Sequence, residues 1–300
     1  MLSLAACATL HHPLAEGGPP AELRAELGAL TGRTFRRINR YIELSLLGAA
    51  RCRAELGSMA PGAALYLCTD IGMLADTSRI VSAMLSERRV PTPFEFMNVS
   101  GSMASFQVAQ HLGLEGPQLS LHRSHAGFEA ALQFLELKSA PHRQALVGFV
   151  EEGCWPLAEQ RERLHWPEGL LAECSHWFYF DADAAMPRAR VESCMRHVGW
   201  ESLAASVATL ERERLWLSGC ERSRNTADLD GWGQALGIGQ LFRPLVAPSL
   251  SGGLTALALG AFVEQVPAGR LLHVNRAGGD EYYATVLTVR RVGGAQRNPP

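Results

Sequence analysis

Between residues 38 and 56 the apolar positions Ile38, Ile42, Leu46, Ala49 and Leu56 recur at helical spacing, which predicts an amphipathic helix. The run that follows, GAALYLCTDIG, is continuously apolar and closes on glycine, so it predicts a buried strand. The alternation continues with a helix over 76–88, a small-residue helix SGSMASFQVAQHLGL, the strand QLSLH, the helix AGFEAALQFLELKS and the strand in HRQALVGFVEE. Residues 151–175 are rich in Glu, Pro and Trp and read as a connecting excursion, after which SHWFYFDAD opens a second half. Helices over 187–211, the strand RLWLSG, a helix from Asp228, a Gly-rich turn feeding a packed helix, and two strands joined at NRAGGDE complete it. Strands alternating with helices in two blocks predict an α/β fold of two similar halves. Their expected extents are 1–155, a connection with the first strand of the second half over 156–186, and 187–300, with 293–300 disordered.

Composition narrows this picture mainly by exclusion. With 300 residues, 47% of them hydrophobic and 19% charged, the chain can bury a sizeable core without disulfide staples. A net charge of −2 with no long run of one sign leaves no footprint for nucleic acid. Seven cysteines, an odd number without CxxC spacing, point away from a disulfide framework or a structural zinc site. The apolar start lacks a basic leader and no stretch is long enough to span a bilayer, so a cytoplasmic location is expected. His122 and His125 form an HxxH pair with no suitably spaced third ligand, and neither a metal nor a cofactor is expected. His11 and His12 read as a surface pair, and GxSxG, GxGxxG and P-loop patterns are absent.

The order of MNVSGSMASFQVAQHLGL, GPQLSL, the sharp turn HRSHAG, the helix FEAALQFLEL and the strand ALVGFVEE resembles the N-terminal half of the β-ketoacyl synthases of the thiolase superfamily. A weaker likeness covers LWLSGCERSRNTADLD, SLSGGLTALALGAF and NRAGG in residues 213–292. The resemblance implies a thiolase-like layered α-β-α-β-α fold, here shortened. In that family a cysteine at a strand-to-helix turn carries the acyl chain, and two histidines and a lysine from the second half serve decarboxylative condensation. The matching positions here are His125 for the cysteine, Cys220 and Leu254 for the histidines, and Ser249 for the lysine, with Asp228 at an acidic position. An imidazole at the turn cannot form the acyl thioester, and a leucine donates no hydrogen bond to an enolate.

These departures resemble the non-catalytic chain-length factors of type II polyketide and aryl polyene systems, which pair with an active ketosynthase. The resemblance implies that partner, with acyl carrier protein as a second. The strand containing Leu119 and Leu121 is expected at the dimer face, and Phe94, Phe96, Met97, Met103, Phe106 and Phe128 flank it as candidate walls of a shared tunnel. Arg33, Arg36, Arg37 and Arg40 form a basic cluster suited to an acidic carrier-protein helix, which also leaves open a purely scaffolding role. A third reading makes Cys220 the nucleophile of an acyltransferase or thioesterase, with His125 as its base.

Overall fold

The apolar N-terminus, which shows no clean period, forms a long strand, β1 (Leu2–Pro13), in the computed structural model. Its Leu2, Leu4, Ala6, Cys7, Ala8 and Leu10 are all buried, because β1 lies inside a sheet covered on both faces. Description covers residues 1–15, 23–138, 143–164, 171–221, 228–244 and 253–290; Ser249 and the tail 293–300 lie outside it. Next come α1 (Leu23–Thr31) and α2 (Arg40–Leu56), the predicted amphipathic helix, whose start is fixed by Asn39 accepting from the Ile42 N–H at 2.9 Å. β2 (Ala64–Thr69) is wholly buried and leads into α3 (Leu74–Leu85) and a short α4 (Pro93–Asn98) closed by a Thr92–Glu95 capping box. The small-residue helix α5 (Gly101–Leu112) ends at Gly113, whose left-handed φ of 70° suits glycine.

The predicted strand–turn–helix follows as β3 (Gln118–His122) and α6 (Gly127–Lys138), then β4 (Gln144–Glu151), α7 (Leu157–Leu164) and β5 (Ala172–Asp181). Residues 189–198, read from the sequence as helical, are instead the strand β6 (Ala189–Val198). Its charged residues mimic a helix face, yet Ala189 and Val191 point inward while Arg190 and Glu192 are only half-buried, an alternation with the period of a strand. The remainder is α8 (Trp200–Ala208), β7 (Leu215–Glu221), α9 (Leu229–Leu236), β8 (Gln240–Leu241), α10 (Leu254–Gln265), β9 (Gly269–Gly278) and β10 (Glu281–Val289).

The ten strands run in the order β3-β2-β4-β5-β1-β6-β10-β9-β7-β8. The first five and the last five are therefore the same motif in mirror order about the β1–β6 junction, where Leu2–Leu4 meet Ala189–Val191. In each set the second strand pairs in parallel with the third and fourth, and the fifth is antiparallel to the fourth and the first. This corrects the division between the halves. β5, expected to open the second half, closes the first, and the second begins at β6.

Three apolar layers follow. The inner one gathers Tyr66, Phe149 and Phe178 with Leu271 and Leu287 around α6 and α10, so each half buries one sheet face against shared helices. The outer faces are covered by α1, α2 and α5 on one side and by α8 and α9 on the other. α10 is buried from Thr255 through Val263, which no surface helix could be.

Trp177, fully buried, sits between Gly48 of α2 and Gly148 of β4, with its indole N–H donating to the Ser175 hydroxyl at 2.8 Å. A Cβ at Gly48 would stand 2.2 Å from Ser175 Oγ and 2.4 Å from Trp177 Cδ1. Gly48→Ala is expected to cost about 2–3 kcal/mol, lowering the thermal midpoint by several degrees in a melting experiment. An unchanged midpoint would mean that helix and sheet separate there without strain.

Candidate functional site

The turn from β3 into α6 is tethered on both sides. The Arg123 N–H donates to the Thr69 carbonyl at 3.0 Å, and its guanidinium reaches the Tyr283 hydroxyl at 2.5 Å while lying 5.4 Å over that ring. Tyr283 in turn donates to Glu281 at 2.7 Å, so the last strand clamps the turn. The residue in the left-handed region is Ala126, with φ 53°, packed against Ala277 and Tyr283. A strained strand-to-helix turn is the geometry that presents a nucleophile to substrate above a helix N-terminus. Here its side chain is a methyl group. His125, placed by the sequence at the nucleophile position, is the half-buried neighbour, 3.5 Å from the Ser124 hydroxyl.

Behind the turn the helices and strands of both halves bring together a buried polar network. Thr255, at the start of α10, donates to Glu129 of α6 at 2.6 Å, and Asn275 of β9 donates to the same Oε1 at 2.6 Å. His273 Nε2 lies 3.1 Å from Thr255 Oγ1, and His273 Nδ1 lies 2.8 Å from the Ser218 hydroxyl. Because Thr255 spends its proton on Glu129, it accepts from the imidazole, which fixes the Nε2–H tautomer and leaves Nδ1 to accept from Ser218. Cys220 stands beside this chain, 3.5 Å from His273 Nε2 and 3.8 Å from Thr255 Oγ1.

This corrects the Cys220–His125 pairing, since the imidazole next to Cys220 is His273. It also limits the chemistry. Burial pushes the Cys220 thiol well above its ordinary range, and burial pushes His273 down to about 3, so each favours its neutral form. The nitrogen facing Cys220 already carries its proton and has no lone pair to act as base. Burial also raises Glu129, against the lowering effect of its Thr255 and Asn275 hydrogen bonds. The network satisfies buried polar groups and ties α6 to α10 and β9.

The sequence reading missed Glu129, Thr255, His273 and Asn275. A signal was present: His273 and Asn275 are two apart on a buried strand, hence on one face, where polar residues require partners. Leu254, half-buried, is the first residue of α10, and Asp228 caps α9 by accepting from the Gly231 N–H at 2.9 Å. Gly253, just before α10, packs closely on Phe149, Cys174 and His176, and a Cβ there would lie 2.8 Å from Cys174 Sγ. Among the described residues no three His, Cys, Asp or Glu side chains converge as metal ligands.

The proposed tunnel and docking residues separate into groups. Phe94, Phe96 and Met97 of α4 and Phe106 of α5 are exposed, while Met103, Leu119 and Leu121 are half-buried. Phe128 is a correction: it lies in the inner core, its ring 5.0 Å from Phe178. Arg40 is a second, because its guanidinium forks onto the buried Glu173, with Nε donating at 2.9 Å, and is spent inside the fold. Arg33, Arg36 and Arg37 remain exposed. His11 and His12 do not form a surface pair; His11 stacks at 6.1 Å on the buried His176, and His12 lies 3.6 Å from Glu173.

No protein-family model matches the chain, and no curated protein matches it in sequence. Solved structures do match it in three dimensions. The ishigamide ketosynthase/chain length factor superposes with a TM-score of 0.72 at 14% identity, over 96% of this chain and 99% of that one. The AntDE:AntF complex, a type II acyl-carrier protein with its ketosynthase, gives 0.73 at 9% identity, over 96% and 99%. The ketosynthase ApeO with its chain length factor ApeC from Xenorhabdus doucetiae gives 0.54 at 11% identity, over 96% and 98%. The chain thus has the thiolase-like α/β fold of ketosynthases and chain length factors. Among the described residues no helix is long and apolar enough to cross a membrane.

Proposed function

We propose that this chain is a non-catalytic subunit of the chain-length-factor type, which pairs with an active ketosynthase and helps bound the acyl tunnel during polyene, polyketide or fatty acyl synthesis. The observation that carries this reading is the turn itself: the fold keeps a strained strand-to-helix elbow at Ala126, and neither His125 nor Ala126 offers a thiol to hold an acyl group. The open edge of β3 and the exposed aromatics of α4 and α5 support the pairing, since an unpaired edge flanked by apolar side chains invites a strand from a partner. Acyl carrier protein would then deliver to the partner's cysteine, with Arg33, Arg36 and Arg37 as contacts for its acidic surface.

Co-expression with a ketosynthase encoded beside it, followed by size-exclusion chromatography with mass determination and a malonyl condensation assay, tests the proposal. A one-to-one complex whose activity survives His125→Ala with Cys220→Ala is the expected result. A lone chain that turns over acyl thioesters and loses that activity with Cys220→Ala would replace this reading with the acyltransferase one.

A further inference from the structure

On the outer helical layer, the C-terminal ends of α1, α2 and α5 line an open cavity of about 360 Å³. Its wall carries Arg33, Arg53 and His111 beside the apolar Leu30, Ala50 and Ala54. Twelve other arginines of the described chain hold a carboxylate partner, Arg24 with Glu43 and Arg51 with Glu26 among them on the same helices. Neither Arg33 nor Arg53 pairs with a described acid. His111 packs edge-on against Phe35, with ring centroids 5.4 Å apart, and its Nδ1 is buried without a hydrogen-bond partner. Burial lowers the His111 pKa, and the Arg33 and Arg53 charges lower it further, so both guanidinium groups lie within electrostatic reach of the ring.

Two guanidinium cations gathered with no described acid between them repel one another, and an anion in the cavity would relieve that repulsion and favour protonation of His111 as a third donor. We infer that this cavity binds a phosphoryl group, as inorganic phosphate or as the monoester of a small organic molecule. Two guanidinium forks and an imidazole offer more donors than one carboxylate accepts, whereas a phosphoryl group brings three oxygens and nearly two charges. The apolar side of the cavity leaves room for an organic body. The site shares Arg33 with the proposed carrier-protein surface and uses neither the edge of β3 nor the exposed aromatics of α4 and α5.

The test is a thermal-melt titration of the full chain with inorganic phosphate and with phenyl phosphate, against sodium chloride at matched ionic strength and against sodium butyrate. A saturable rise in the melting midpoint with either phosphate, absent with chloride, is expected, and its midpoint concentration should rise about tenfold in Arg53→Gln. Arg33→Gln should weaken it similarly, and both positions are exposed enough for the variants to fold. A larger shift with phenyl phosphate identifies an organic monoester, and an equal shift identifies free phosphate. No rise with either phosphate, a rise with butyrate alone, or a rise unchanged in both variants would overturn the inference.

Discussion

Phe96→Glu combined with Phe106→Glu is expected to abolish co-purification with the proposed ketosynthase partner while leaving the isolated chain folded. Both side chains are more than half exposed, at 57% and 51%, so their loss removes little from the core. Phe106 lies on α5, which packs beside the edge strand β3, and Phe96 lies on α4 just before it. An aromatic anchor buried in an interface is worth about 2–4 kcal/mol, and a carboxylate in its place adds a desolvation cost, so affinity should fall by at least a hundredfold or so. Size-exclusion chromatography of the co-expressed pair reads the outcome, with a melting curve of the variant alone as the check on folding. A complex that persists at unchanged affinity would place the partner on another face and remove the chief physical support for pairing through β3.

Stability should lose a contribution as pH rises from about 5 to about 8, and Glu152→Gln should remove much of that loss. Glu152 is buried at the end of β4, and burial raises its pKa to about 8, a shift strengthened by Asp76, Glu151 and Glu173 and opposed by the Ala75 N–H at 3.0 Å. Glu151 beside it is also raised by burial, although it accepts from Thr69 Oγ1 and from the Asp70 and Ile71 N–H groups. An acid whose pKa is higher folded than unfolded binds more protons in the native state. Its contribution is complete below the unfolded value and is lost as pH climbs through the folded one. For Glu152 the ceiling is on the order of 5 kcal/mol, lost between about pH 5 and pH 8.

Histidines act in the opposite sense. Burial pushes His176 and His273 down to about 3, so the stability they confer is present above the ordinary imidazole pKa and is lost as pH falls towards the folded value. Thermal midpoints between about pH 5 and pH 9 should therefore pass through a maximum near pH 6, and Glu152→Gln should raise the alkaline arm while leaving the acidic arm in place. A parallel decline of variant and parent above neutrality would show that Glu152 keeps an ordinary pKa and that water reaches it.

Much of the architecture was legible in the order of residues, because local pattern dictated it. Continuous apolar runs marked β2 and β4, a helical period marked α2, and Gly113 and the NRAGGDE turn ended their elements through backbone freedom. β1 and β6 escaped detection for a common reason. They join the two halves in the middle of the sheet, where β1 is apolar on both faces and β6 carries half-buried charges whose strand alternation breaks after Glu192.

The sequence also determined that no cysteine stands in the turn HRSHAG. Which residue of the turn takes the left-handed backbone was decided by the fold: the positive φ falls on Ala126, the neighbour of His125. The partners of the buried polar groups were likewise set only by the packing of distant segments. Glu129 and Asn275 are 146 positions apart, and nothing local to either foretells the other. Arg40 looked like part of a surface cluster until the fold brought it to Glu173, 133 residues away. Periodicity and turn chemistry are local properties that a sequence displays directly, whereas ion pairing, burial and hydrogen-bond satisfaction depend on which surfaces meet, and that is fixed only when the two halves close on α6 and α10.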